Sequence, residues 1–257
     1  MHTEAEQPDN PLILSFDTSS ERTSMAVARG DRILSMFGAA LGERRSEHLW
    51  DELEFLLKSA GVGLGDIELF AVCTGPGGFT GLRVGLAAIK GFATAGARSA
   101  VGVTSLEALA FSAREEGTVL ALVSGYKESY YYQVFECAGS GLPYARCEPS
   151  LATCNEIVES VIGIESIILI GEGTEKVIEG ARAIGPKTAG ERRADVLIES
   201  WSIRTQPEFL ADSIARVAHL KFLSGGAVEP ACLHACYVRP ADAEVKLSLG
   251  LVGRGLK

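Results

Sequence analysis

Ile67-Glu68-Leu69-Phe70-Ala71-Val72-Cys73-Thr74-Gly75-Pro76-Gly77-Gly78-Phe79-Thr80-Gly81-Leu82-Arg83-Val84-Gly85 decides the reading of this chain. An apolar run of strand length, Ile67 to Cys73, breaks at a glycine–proline cluster. A long helical pattern follows, from about Leu82 to Ala95. A strand, a glycine loop and a helix in that order form the unit of a layered α/β fold. Upstream, Leu12 to Phe16 reads as a buried strand that stops at the polar turn Asp17-Thr18-Ser19-Ser20. Ser24 to Ala28 and Arg32 to Phe37 read as two strands joined through Gly30-Asp31, a hairpin signal. A helix begins at Ser46, with Leu49, Leu53, Leu56, Leu57 and Ala60 on one stripe and Gly61 as its stop.

Downstream, Ala100 to Val103 is a short strand, and Thr104 and Glu107 stand at capping-box spacing before the next helix. The order then returns: strands to Val123 and over Tyr130 to Phe135, a helix over Asn155 to Ile162, a strand over Ser166 to Ile170 and a helix after Gly173. A last helix is expected over Glu208 to Leu223. Two related lobes follow from this echo. The expected division is a polar tail at 1–10, a first lobe at 11–112, a second lobe at 113–240 and a tail at 241–257. Helix 208–223 is a candidate to pack back on the first lobe.

The 257 residues include 24 basic and 33 acidic side chains, for a net charge of −9, and 47% of them are apolar. This composition supports a packed core and excludes disorder and collagen. It also lacks the basic footprint of a chain that holds nucleic acid by itself. The first ten residues have no basic and apolar leader pattern. The apolar runs fall short of the ~20 residues of a spanning helix. Six sparse cysteines fit reduced thiols. The expectation is a cytoplasmic protein with no membrane partner.

Each chemical motif has a plain alternative. A glycine loop between strand and helix can hold phosphate on backbone amides. The Walker spacing fails, because Thr80 stands five after Gly75 and Leu82 follows Gly81. The other reading is that the glycines serve a tight turn and close packing. Asp17-Thr18-Ser19 could face a metal or phosphate, but Ser19 stands where a phosphate-closing loop needs glycine, and a strand cap is the plainer role. No histidine pair has metal-ligand spacing. Cys232-Leu233-His234-Ala235-Cys236 lacks a fourth ligand, which Cys147 or Cys154 could supply only through the fold. The helix after the loop carries small residues (Gly81, Gly85, Ala88, Gly91, Ala95) beside Leu82, Leu86, Ile89 and Phe92. Helix 46–60 adds Trp50 and Phe55 to its stripe. Such an apolar surplus fits either a helix-mediated interface or helices wholly inside a large core.

Asp17-Thr18-Ser19, the run from Gly75 to Gly85, Lys90-Gly91, Val103-Thr104-Ser105-Leu106 and Tyr237-Val238-Arg239 resemble the bacterial tRNA threonylcarbamoyladenosine biosynthesis family TsaB, over about residues 12–240. The resemblance implies two actin-like (ASKHA, ribonuclease H-like) lobes with mixed sheets flanked by helices. It implies a non-catalytic scaffold that activates TsaD, the enzyme that modifies adenosine beside the anticodon of tRNAs reading ANN codons. TsaE would join through that complex, and tRNA would be met only indirectly. In isolation a homodimer is plausible. The resemblance implies no catalytic residue, no metal and no cofactor of the chain's own. Any nucleotide would lie at the interface with TsaD. The partner interface would comprise Leu49, Trp50, Leu53, Leu57, Leu82, Gly85, Leu86, Ala88, Ile89 and Phe92. The motif loop would comprise Asp17, Thr18, Ser19, Gly75, Gly77, Gly78, Thr80, Gly81 and Arg83. Arg45 stands where the family usually has histidine, and Ser124-Gly125-Tyr126 replaces an Asp-x-Arg element. The alternative in another class is an ATP-dependent small-molecule kinase of the same fold.

Overall fold

The computed structural model describes residues 9–40, 49–184 and 199–238. The helix start at Ser46, Arg45 and Arg239 lie outside them. The first sheet has the order β3-β2-β1-β4-β5. Its strands are β1 (Leu12–Asp17), β2 (Arg22–Arg29), β3 (Arg32–Ala40), β4 (Leu69–Gly75) and β5 (Ser99–Thr104). β2 runs antiparallel to both β1 and β3, while β1, β4 and β5 are parallel. Every residue of β1 and β4 is buried, as expected of central strands covered on both faces.

The second sheet runs β11-β10-β6-β7-β8, with β9 also paired to β7. Here β6 is Gly117–Ser124, β7 Ser129–Cys137, β8 Tyr144–Ala145, β9 Ser150–Thr153, β10 Ile168–Gly171 and β11 Ser202–Arg204. β6 takes the place of β1, with an antiparallel hairpin partner on one side and parallel neighbours on the other. The two lobes thus repeat one topology. Both sheets are mixed and flanked by helices: the α/β layers follow the alternating pattern, and the mixed sheets are what the resemblance implied.

Helices α1 (Leu49–Ala60) and α2 (Phe79–Ala95) cover one face of the first sheet. α4 (Cys154–Val161) and α5 (Thr174–Ile184) do the same for the second. Two further helices among the described residues are exchanged between lobes. α3 (Ser105–Ser112) follows the first sheet but packs Leu106, Leu109 and Ala110 against Val119, Ala121 and Phe135 of the second. α6 (Ala211–Leu223) follows the second sheet but lays Ile214, Ala215, Val217 and Ala218 on Ile13, Ala28, Leu69 and Val101 of the first. Ser15, inside β1, donates to the Ala211 carbonyl at 2.7 Å. Lys221 on α6 binds Glu107 on α3 at 2.6 Å and the Gly102 carbonyl at 3.0 Å. The capping box forms as read, with the Glu107 amide on Thr104 Oγ1 at 3.0 Å.

Two boundaries differ from the sequence pattern for tertiary reasons. α2 begins at Phe79, earlier than Leu82, because Gly81 sits in its first turn and takes Thr18 against its carbonyl. α6 begins at Ala211, later than Glu208. The segment before it crosses between lobes, where Phe209 fills the space over Gly38. Among the described residues no helix is long and apolar enough to cross a membrane.

Candidate functional site: an interlobe cleft and an exposed helical face

The glycine loop is folded onto the Asp17-Thr18-Ser19 turn. The Gly78 amide donates to the Ser19 carbonyl at 2.6 Å, and a Cβ at Gly77 would collide with that same oxygen. Thr18 Oγ1 donates to the Gly81 carbonyl at 2.7 Å, and a Cβ at Gly85 would strike the Thr18 hydroxyl. Asp17 is buried, and its carboxylate accepts from the Ser19 amide at 2.9 Å and from Ser19 Oγ at 2.6 Å. Both motifs therefore hold each other. The glycines serve close approach of backbone to backbone, and the Gly78 amide that phosphate would need is already engaged. Beneath the turn, burial and then the Asp17 charge push the Cys73 thiol well above its usual range.

Between the lobes, at the carboxyl ends of β1, β6 and β10, lies a cleft of about 650 Å³. This is where α/β sheets usually present ligand sites. Its charged lining is Asp17, Glu21, Glu172 and Glu208 against Arg22 alone. Glu172 accepts from the Ser124 amide at 3.1 Å, at the place of the departed Asp-x-Arg element. Four carboxylates against one guanidinium give the cleft a net negative lining. Among the described residues no group of three His, Cys, Asp or Glu side chains could hold a metal ion. Cys232 and His234 are exposed, and Leu233 between them is buried.

Two aromatic residues of α1 stay in solvent, among exposed Asp51, Glu54 and Lys58. Trp50 and Phe55 are each 63% exposed. Trp50 meets Phe92 edge-on at 5.3 Å between ring centroids, and Phe55 meets Phe37 at 6.3 Å. Leu49, Ala88 and Phe92 are half-buried and pack against the core beneath. The other expected interface residues do not reach this surface. Leu53, Leu57, Leu82, Leu86 and Ile89 are buried in the chain's own core, and Gly85 is sealed under Thr18. The physical reason is angular: a helix on a sheet buries a stripe more than ~100° wide, and those residues form that stripe. Burial in the chain's own core accounts for these residues, while Trp50 and Phe55 stay in solvent.

At the start of α2, Gly78, Thr80 and Arg83 of the motif are exposed, Gly77 is half-buried and Gly75 is buried. The Arg83 guanidinium lies 3.8 Å over the Phe79 ring, and its Nε donates to Tyr237 Oη at 3.4 Å. Phe79 and Tyr237 are 5.4 Å apart. Sequence reasoning placed Phe79 and Tyr237 in motifs without joining them, because their contact spans most of the chain. Phe55 was legible as lying off the Leu53–Leu56–Leu57 stripe, yet it fell outside the expected interface.

Comparison with known proteins adds to this geometry. The family model described as TsaD, tRNA N6-adenosine threonylcarbamoyltransferase, matches residues 41–163. A tRNA N6-adenosine threonylcarbamoyltransferase of Thermodesulfovibrio yellowstonii is 38% identical over 111 residues, covering 37% of this chain and 33% of the relative. The tRNA threonylcarbamoyladenosine biosynthesis protein TsaB of Bacillus subtilis is 25% identical over 243 residues, covering 91% of this chain and 96% of the relative. Matches to other TsaB relatives span just over half of their length. The solved structure of YeaZ from Pseudomonas aeruginosa shares the fold, with a TM-score of 0.68 at 20% identity, covering 88% of this chain and 99% of that one. Motif string, relatives and fold agree in what they resemble: the chain is similar to TsaB proteins along most of its length and to the TsaD family over residues 41–163.

Proposed function

We propose that this chain is a scaffold subunit that docks a TsaD-type transferase through the outer face of α1 and α2, in the pathway that places threonylcarbamoyl on tRNA adenosine. The carrying observation is Trp50, left in solvent on α1 against Phe92 of α2, beside core stripes that are already satisfied. Exposed aromatic anchors beside a flat, small-residue helix are what an interface core offers a partner. The acidic total charge fits a subunit that leaves RNA binding to its partner. The reading gives the chain no reaction of its own, and TsaE and tRNA join through the assembled pair.

The test mixes the full chain with its purified TsaD partner and measures association and tRNA modification. Wild type should bind and raise modification. Trp50→Ala should weaken association by about 30-fold or more, the scale of a hot-spot aromatic. Far-ultraviolet circular dichroism should remain unchanged, because Trp50 lies outside the buried core. No binding by wild type, or full binding by Trp50→Ala, defeats the reading.

A further inference from the structure

The docking face is electrically polarised. From Leu69 to Leu106 the sequence holds Arg83, Lys90 and Arg98 and no acidic residue, in a chain whose net charge is −9. Pro230 to Val238, which packs along α2, also carries none. Burial, and then the charge of Glu148 in the second lobe, raise the Cys236 thiol in this segment, and Glu229 immediately precedes it. Ion pairs among the described residues engage Arg29, Lys58, Arg146, Arg204 and Lys221, with neither Arg83 nor Lys90 among them. The opposite edge, on α1, exposes Asp51 and Glu54.

Arg83 is also pre-positioned. Stacking on Phe79 and the bond from Nε to Tyr237 hold its guanidinium in place from two sides. Much of the side-chain entropy that an ion pair normally costs is thereby spent in the free protein. Lys90 stands seven residues on, two turns along the same side of α2, with Nζ on the Ala231 carbonyl at 3.3 Å. Between this basic edge and the Trp50–Phe92 ridge lies a flat strip of Ala87 and Gly91, where a Cβ on Gly91 would meet nothing within 4 Å.

We propose that Arg83, with Lys90, is the acid-reading edge of the docking face. It receives a carboxylate of the partner subunit and fixes which way round that subunit lies. The proposal rests on the docking reading above and adds the chemistry that orients it. Apolar ridge, flat strip and basic edge then act together: the ridge supplies affinity, and the edge supplies orientation and encounter rate.

The test measures association kinetics of the full chain with its purified TsaD partner at low and moderate sodium chloride. Arg83→Glu combined with Lys90→Glu should slow association about tenfold at low salt and flatten its salt dependence. Arg32→Glu, on the distant β2–β3 hairpin, changes net charge alone and should have little effect. Trp50→Ala should act mainly on dissociation. An association rate within about twofold of wild type for the double variant, or an equal slowing by Arg32→Glu, overturns this proposal while leaving docking intact. If wild type fails to bind, both readings fall. If the double variant associates normally but the assembled complex loses tRNA, the edge belongs to RNA phosphate and the proposal is overturned.

Discussion

Single atoms decide the character of the glycine loop. Gly77 lies so close to the Ser19 carbonyl that one added methyl must displace backbone, and the Gly78–Ser19 hydrogen bond lies in its path. Gly77→Ala should lower stability by about 1–3 kcal/mol, the usual cost of overpacking, read as a fall in the urea midpoint at constant slope. Cysteine ionisation gives a second test. Burial, and then the Glu136 charge, push the Cys137 thiol up to about 11 from an ordinary 9.0. In that interval the unfolded chain has released the proton and the folded chain has kept it. Stability from this group is therefore complete below pH 9 and is lost as pH rises towards 11. Denaturant titrations across that range should show the decline, and Cys137→Ala should reduce it. Exposed Cys147 and Cys232 should react with a thiol reagent well before buried Cys73 and Cys137.

Each helix divides its work by face. α2 buries Leu82, Leu86, Ile89 and Ala93 and leaves Ala87, Gly91 and Ala95 outside. Gly91 sits mid-helix with no contact to lose, so Gly91→Ala should raise stability by about 0.5–1 kcal/mol through backbone entropy and helix propensity. Gly91→Trp should keep the fold and weaken partner binding by filling the flat strip; thermal melting and association measurements separate the two effects. The same stretch shows how far pattern reading carries. Strand β4, the glycine break and the helix are legible because period and punctuation change sharply there. The first turn of α2 is not, since Phe79-Thr80-Gly81 has poor helix propensity and is held by Thr18 from the turn after β1.

The whole molecule is bound by the exchange of α3 and α6. Removing α6 would strip the apolar cover from β1, β4 and β5, exposing Ile13, Leu69, Ala71 and Val101. The lobes should therefore unfold together, in one calorimetric transition, and a fragment of residues 9–116 should fail to show a cooperative melt. Two separate transitions, or a folded fragment, would contradict this. Lys221 and Glu107 add a polar tie between the exchanged helices.

The sequence by itself determined the alternation of strands and helices, the repeat of one topology in two lobes, the Thr104–Glu107 cap and the specific glycine string, because periodicity, turn chemistry and capping act over a few residues. It also marked α1 and α2 as carrying more apolar surface than one stripe requires. Only the tertiary structure decided which of those residues face outward. Burial depends on the angle at which a helix meets its sheet, and that angle is set by distant strands. The same holds for Arg83, Phe79 and Tyr237, whose meeting depends on Pro230 to Val238 returning along α2 after the chain has crossed both lobes.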